Sequence, residues 1–107
     1  MRTDAWAAWH APAYFLMMCA DCGLSSTERF SRFVTLAEEI TRLGPNPPAY
    51  VYKNLAYALG QLYPQRPGVR DQLVAAMQEY LRRGPRDDPD VPVMRDNLVK
   101  LGAPLPD

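Results

Sequence analysis

Two cysteines three residues apart are the clearest candidates for chemistry in this sequence. Cys19 and Cys22 form a C-x-x-C pattern, which is typical of metal sites and of redox-active dithiols. A zinc site needs four ligands, and His10 is the only histidine, so carboxylates would have to complete the set. A redox dithiol normally begins a helix after a strand, whereas this pair ends an apolar run. We therefore interpret the pair as two small buried residues on a packed helix, and we predict no metal and no other cofactor.

No other pattern predicts catalysis. The sequence has no glycine-rich phosphate loop, no paired-carboxylate site and no catalytic triad, and no nucleophile signature accompanies His10. One cluster of opposite charges is interpreted as a solvated helix end with capping acids, and consists of Arg82, Arg83, Arg86, Asp87, Asp88 and Asp90. We predict that the protein is not an enzyme.

Composition limits the class of protein and its partners. A chain of 107 residues with 48% hydrophobic and 22% charged residues is typical of one globular domain, here 1–107. Twelve basic and twelve acidic residues cancel, so we predict neither a nucleic-acid partner nor an anionic membrane surface. There is no signal-like start and no apolar run of transmembrane length. With only two cysteines, a reducing cytoplasm is the expected location.

The elements that would position any site are helices. Apolar residues recur at spacings of three and four in two segments joined by the proline-rich turn 63–68. The first stripe holds Val51, Leu55, Ala58, Leu59 and Leu62, and the second holds Val69, Leu73, Ala76, Met77, Tyr80 and Leu81. Gly84 and Pro85 predict a left-handed residue and then a stop at the end of the second helix.

Three further helices are predicted around this pair. One covers 12–22 and ends at Gly23, and a capping box from Ser25 to Glu28 opens the next. The apolar stripe of that next helix consists of Phe30, Phe33, Val34, Ala37 and Ile40. A last helix lies within 89–101 and ends at Gly102, and the tail 103–107 is expected to fray.

The helices form an internal repeat. Residues 16–45 align by residue class with 55–85 at an offset of 39 or 40, and both copies end in Gly-Pro. A period near 40 with two helices per unit predicts an α-solenoid. The second copy resembles a degenerate tetratricopeptide repeat, through Tyr52, Lys53, Asn54, Leu55, Ala56, Leu73, Met77, Tyr80, Leu81 and Pro85.

This resemblance implies an all-α fold with a right-handed stack of two antiparallel helical hairpins. The hairpins are 12–45 and 46–85, followed by a capping helix at 89–101 and preceded by a short helix or arm at 1–11. The turn is longer than that of a standard repeat, and Phe33 or Leu73 stands where a small residue is usual. A HEAT-like array and a plain five-helix bundle fit the same pattern.

A second stripe of polar and aromatic residues lies about 120° around the first helix of the pair. It comprises Tyr50, Lys53, Asn54, Tyr57 and Gln61. The resemblance implies that these residues line a groove for a peptide or partner protein, in which Lys53 and Asn54 could grip a carboxylate or a peptide backbone. Arg95 and Lys100 of the last helix could reach the same side. We therefore predict a non-catalytic protein-interaction module; the alternative is that the tyrosines pack on the neighbouring hairpin.

The aromatic N-terminus offers a second interface. Trp6, Trp9 and Tyr14 are residue types that commonly anchor protein interfaces. They could form a homodimer or dock the chain onto a larger enzyme as an accessory subunit. Alternatively, these residues fold over the first hairpin as a cap.

Overall fold

The computed structural model describes residues 13–19, 23–43 and 47–106, and this part of the chain is helical without any strand. The all-α fold class is therefore confirmed. The helices are α1 (13–18), α2 (Ser26–Leu43), α3 (Ala49–Leu62), α4 (Arg70–Arg83) and α5 (Val91–Lys100). A single 3-10 turn, Pro67–Val69, leads into α4. None of the described helices has both the length and the apolar character needed to cross a lipid bilayer.

The start of α2 follows the predicted cap. The backbone N–H of Glu28 donates to the Ser25 hydroxyl at 3.1 Å, which satisfies one of the donors left open in the first helical turn. The hydroxyl in turn donates to the Glu28 carboxylate at 3.3 Å. In a complete capping box that carboxylate would accept the backbone N–H of the cap residue. The cap is therefore confirmed, with the glutamate bonded to the serine side chain instead.

Helix α3 lies at the centre of the core. It packs against α2 and α4, and α4 packs against α5. Its buried residues are Val51, Leu55, Ala56, Ala58, Leu59 and Leu62, which include the whole predicted stripe. One apolar cluster joins all five helices, with Met17 from α1, Phe33 from α2 and Leu98 from α5 among its buried members. The side chain of Ile40 lies outside the described residues.

The end of α1 and the conformation of Gly84 need correction, whereas α4 ends at Arg83, directly before Gly84, as predicted. The described part of α1 ends at residue 18, before the predicted end at 22, and 20–22 lie outside the described residues. Gly84 has φ −82° and ψ 169°, so it is extended and not left-handed. A Cβ at Gly84 would lie 2.7 Å from Tyr80 Cε1 and 2.8 Å from the Tyr80 carbonyl oxygen, so the close approach of Tyr80 is the reason for glycine. Gly102 has φ 73°, as its predicted role at the end of α5 requires.

The C-terminal tail is held against α4, and the prediction that it frays is wrong for 103–106. Gln78 Nε2 donates to the carbonyl of Pro104 at 2.9 Å, and Arg70 donates to the carbonyl of Leu101 at 2.5 Å. Leu105 is half-buried against the apolar cluster. These contacts supply apolar burial and backbone partners, which an exposed tail lacks.

Candidate functional site

A groove of about 750 Å³ runs between α3 and α5. Both helices pack on α4, but they do not pack on one another, so α4 forms the floor between two separated walls. The α3–α5 groove is defined by Asn54, Tyr57 and Gln61 on one wall and by Val93 and Asn97 on the other. Its volume lies within the range of about 300–1,000 Å³ that is usual for ligand pockets.

The floor of the α3–α5 groove is apolar and its edges expose further apolar residues. Leu73 and Met77 of α4 and Met94 of α5 face the cavity. Seven large hydrophobic residues of the described chain are exposed, and four of them border the groove, namely Tyr14, Met18, Tyr57 and Val93. More than half of these exposed large apolar residues therefore border this site, whereas Phe15, Leu36 and Val99 are exposed elsewhere.

The structure brings together most of the residues predicted to line a groove. Those at the groove are Lys53, Asn54, Tyr57, Gln61 and Lys100. Tyr57 is 44% exposed and also contacts the ring of Phe30 edge-on, with 5.8 Å between centroids. Half-buried Tyr50 is not among the lining residues, and burial raises the pKa of its phenol. Arg95 borders a separate cavity of about 380 Å³ beside Arg86.

The predicted N-terminal interface shares one residue, Tyr14, with the α3–α5 groove. Tyr14 lines the α3–α5 groove next to Met18, one turn further along α1. Trp6 and Trp9, the other two residues predicted for this interface, lie outside the described residues.

Gly60 is a groove residue that sequence reasoning missed. It lies in the interior of α3, where glycine costs about 0.5–1 kcal/mol relative to alanine. A Cβ built at Gly60 would meet nothing within 4 Å, so the missing side chain leaves open space in the groove. The spacing of Gly60 from Lys53, Ala56 and Tyr57 is helical and could have revealed it. The same helical spacing of three, four and seven residues links Asp90, which directly precedes α5, to Val93, Met94 and Asn97.

Lys53 is bonded to carboxylates of its own chain. Its ammonium lies 2.8 Å from Asp88 Oδ2 and 3.1 Å from Asp90 Oδ2. The Tyr80 hydroxyl donates to the same Asp88 oxygen, and the backbone N–H of Asp90 donates to Asp88 Oδ1 at 2.9 Å. The Asp88 side chain is only 8% exposed. This Lys53 network therefore ties α3, α4 and the loop before α5 together.

The interpretation of the charge cluster as a solvated helix end is wrong for Asp88, whereas the side chain of Asp90 is 57% exposed and also pairs with Lys53. Their partner, Lys53, comes from α3 and is distant in sequence, so local charge patterning could not reveal the pair. Arg82 and Arg83 instead bind Glu79, each at 2.7 Å.

The Lys53 network shifts three pKa values. The hydrogen bond from Lys53, followed by that from Tyr80, lowers the pKa of Asp88 to about 2. Burial, followed by the hydrogen bond to Asp88, raises the pKa of Tyr80 to about 12. The hydrogen bond to Asp88 raises the pKa of Lys53 above its ordinary value. The charged forms of Lys53 and Asp88 and the neutral form of Tyr80 therefore stabilise the folded state.

These shifts predict how stability depends on pH. The contribution of Asp88 is present above its ordinary pKa of 3.8 and is lost as the pH falls through about 2. The contribution of Tyr80 is present below pH 10 and is lost as the pH rises through about 12. We expect Tyr80→Phe to reduce the alkaline loss of stability and Asp88→Asn to reduce the acid loss, in urea unfolding followed by circular dichroism. An alkaline slope in Tyr80→Phe equal to that of wild type would contradict the assignment.

Cys19 departs from its predicted role. It directly follows α1, is half-buried and is disulfide-bonded; Cys22, the only other cysteine, lies outside the described residues. Cys19 is therefore not a buried thiol on a packed helix. Within 13–19, 23–43 and 47–106, no group of three or more histidine, cysteine or acidic residues could hold a metal ion.

Comparisons of the chain with protein-family models, with curated proteins and with solved structures found no match. The tetratricopeptide resemblance therefore stays a prediction from the sequence. The α3–α5 groove has to be interpreted from its own geometry.

Proposed function

We propose that the protein is a non-catalytic protein-interaction module that holds a peptide or a segment of a partner protein in the α3–α5 groove. One observation carries this proposal: the groove gathers four of the seven exposed large apolar residues of the described chain over an apolar floor with polar edges. Such a surface is costly to leave in water and is typical of interaction sites.

The proposal includes the finer arrangement of the helices. We propose that α1 with α2 and α3 with α4 form two antiparallel hairpins, stacked as a right-handed solenoid and closed by α5. The packing of α3 on both α2 and α4, and of α4 on α5, supports this order because each solenoid unit contacts its neighbours. A cytoplasmic location stays a prediction from the sequence.

The walls of the groove are well suited to binding with little rearrangement. The Lys53 network joins the α3 wall to the loop that precedes the α5 wall, and Leu98 anchors α5 in the core. Walls that are fixed before binding reduce the ordering cost of association. Tyr14 places the predicted N-terminal interface beside the same groove, so a docking surface for a larger enzyme would include this site.

The proposal can be tested with a library of random peptides displayed on phage. Peptides selected on the wild-type chain would be measured by fluorescence anisotropy against three variants. Gly60→Trp fills the groove from a position with open space, and Gly60→Ala adds only a methyl group there. Gly68→Trp is the matched control, because Gly68 also has open space but does not line the groove.

We expect the selected peptides to bind wild type, Gly60→Ala and Gly68→Trp alike. Gly60→Trp should weaken binding by about tenfold or more. Circular dichroism would check that all three variants keep their helical content. Equal binding to Gly60→Trp and wild type, or no enrichment of peptides above background, would refute the proposal.

A further inference from the structure

The charges around the α3–α5 groove are neutralised within the chain. The charged lining residues are Lys53, Asp90 and Lys100. Lys53 pairs with Asp90 and Asp88, and Lys100 pairs with Asp96 at 3.0 Å. An occupant with a charge in the groove would have to compete with these pairs, strongly at Lys53, whose partner Asp88 is 8% exposed, and weakly at Lys100, whose side chain is 71% exposed. Electrostatic complementarity therefore favours an occupant whose inserted face is uncharged.

The floor and walls of the groove offer an occupant few backbone partners. They are built from α3, α4 and α5, whose interior N–H and C=O groups bond to one another within each helix. An extended peptide on the apolar floor would find only the side-chain amides of Asn54, Gln61 and Asn97 as partners, so most of its own N–H and C=O groups would stay unbonded, which costs free energy. A helix satisfies its own backbone, so it can lie on such a floor and need only side-chain contacts.

The length of the α5 wall suits one bound helix. The ten residues of α5 extend about 15 Å, enough for anchors at positions i, i+4 and i+7 of a bound helix. Packed helices lie about 8–10 Å apart, so a helix seated on α4 would contact it through side chains alone. Met18, Met77 and Met94 line the site, and flexible methionine side chains adapt to the shape of inserted residues.

From these observations we propose that the occupant of the α3–α5 groove is an amphipathic α-helix of a partner protein that inserts an uncharged apolar stripe. This inference rests on the proposed function and specifies the partner's chemistry. Leucine, methionine or phenylalanine at i, i+4 and i+7 contacts the floor. The side-chain amides of Asn54, Gln61 and Asn97 contact the polar shoulders of the helix.

The test uses the full chain and fluorescein-labelled synthetic peptides. The first peptide carries leucines at i, i+4 and i+7 on a background of alanine and glutamine. The second has the same composition with the leucines scattered, and the third has a proline in the middle of the stripe. The fourth has glutamate in place of the central leucine. Anisotropy would be measured with wild type, Gly60→Trp and Gly68→Trp at low and high salt.

We expect wild type and Gly68→Trp to bind the first peptide about tenfold or more tightly than the other three. Gly60→Trp should lose this preference. The dissociation constant should change by less than about twofold between roughly 0.05 and 0.5 M salt, because no ion pair forms on binding. The first peptide should gain helical circular dichroism when it binds.

Several results would overturn the inference. Equal binding of the proline peptide would indicate an extended occupant, and tighter binding of the glutamate peptide with strong salt dependence would indicate a charged one. A wild-type dimer that Gly60→Trp converts to a monomer would assign the groove to a second copy. Peptide binding that appears only after Trp6→Ala and Trp9→Ala would assign it to the chain's own N-terminal residues.

The phage selection separates failure of this inference from failure of the proposed function. If the selected peptides bind wild type but not Gly60→Trp, and are extended or charged, the interaction site stands and only the inference about a helix fails. If no selected peptide depends on the groove, both fail.

Discussion

Replacing Leu98 with alanine is expected to lower the free energy of unfolding by about 2–5 kcal/mol and to abolish binding in the α3–α5 groove. Leu98 is fully buried and is the single buried residue of α5. Truncation would leave a cavity where this side chain now packs with the core, and α5 has no other fully buried anchor. One wall of the groove would therefore lose its attachment.

The measurement is urea unfolding followed by circular dichroism, together with anisotropy of a groove-binding peptide. Val99→Ala is the matched control, because Val99 is the next residue of α5 but is 61% exposed. We expect the control to stay within about 0.5 kcal/mol of wild type. If Leu98→Ala were as stable as Val99→Ala, the packing of α5 described here would be wrong.

Reversing the charge of Lys53 is expected to destabilise the fold far more than the same change at Lys100. Lys53→Glu would place a third carboxylate against Asp88 and Asp90, and the half-buried Asp88 exposes only 8% of its side chain. Removing one partner of a buried ion pair leaves the other charge uncompensated, and a like charge in its place adds repulsion. The cost is reduced because the Lys53 side chain is 34% exposed and water screens part of the interaction.

The matched control for Lys53→Glu is Lys100→Glu, which also places a new carboxylate beside an aspartate. Lys100→Glu would face Asp96 one turn away, but the Lys100 side chain is 71% exposed, so only a few tenths of a kcal/mol are expected. Lys53→Met should fall between the two, because it keeps the apolar stem and removes the charge. Thermal unfolding at neutral pH ranks the three variants. Equal midpoints for Lys53→Glu and Lys100→Glu would show that the Lys53 network contributes little.

The sequence predicts the helices well because their apolar spacing is a local property. The stripe from Val51 to Leu62 is buried as expected, and α2 begins after Ser25 as its cap requires. The reason for glycine at position 84 was not predictable, because it depends on the rotamer of Tyr80 and on the position of the Tyr80 carbonyl oxygen. The docking of the tail depends on Gln78 and Arg70, which are distant in sequence.

The groove was predictable from one wall only. Helical spacing identified Asn54, Tyr57 and Gln61 on α3. For the opposite wall only the basic residues of the last helix were predicted, and one of them, Arg95, borders the separate cavity instead. The partner of Lys53 could not be predicted, because the contact between α3 and the loop after α4 forms only when the helices pack. Apolar spacing does not report which charges meet across such a contact.

The neutralised edge of the α3–α5 groove has a kinetic consequence. Oppositely charged surfaces guide partners together and can raise association rate constants to about 10⁸–10⁹ M⁻¹ s⁻¹, compared with about 10⁵–10⁶ M⁻¹ s⁻¹ without such guidance. Because Lys53 and Lys100 are both paired within the chain, encounters with this groove are governed by ordinary diffusion and orientation. Discrimination between partners then resides in how long each complex lasts, which is set by the fit of side chains against the floor.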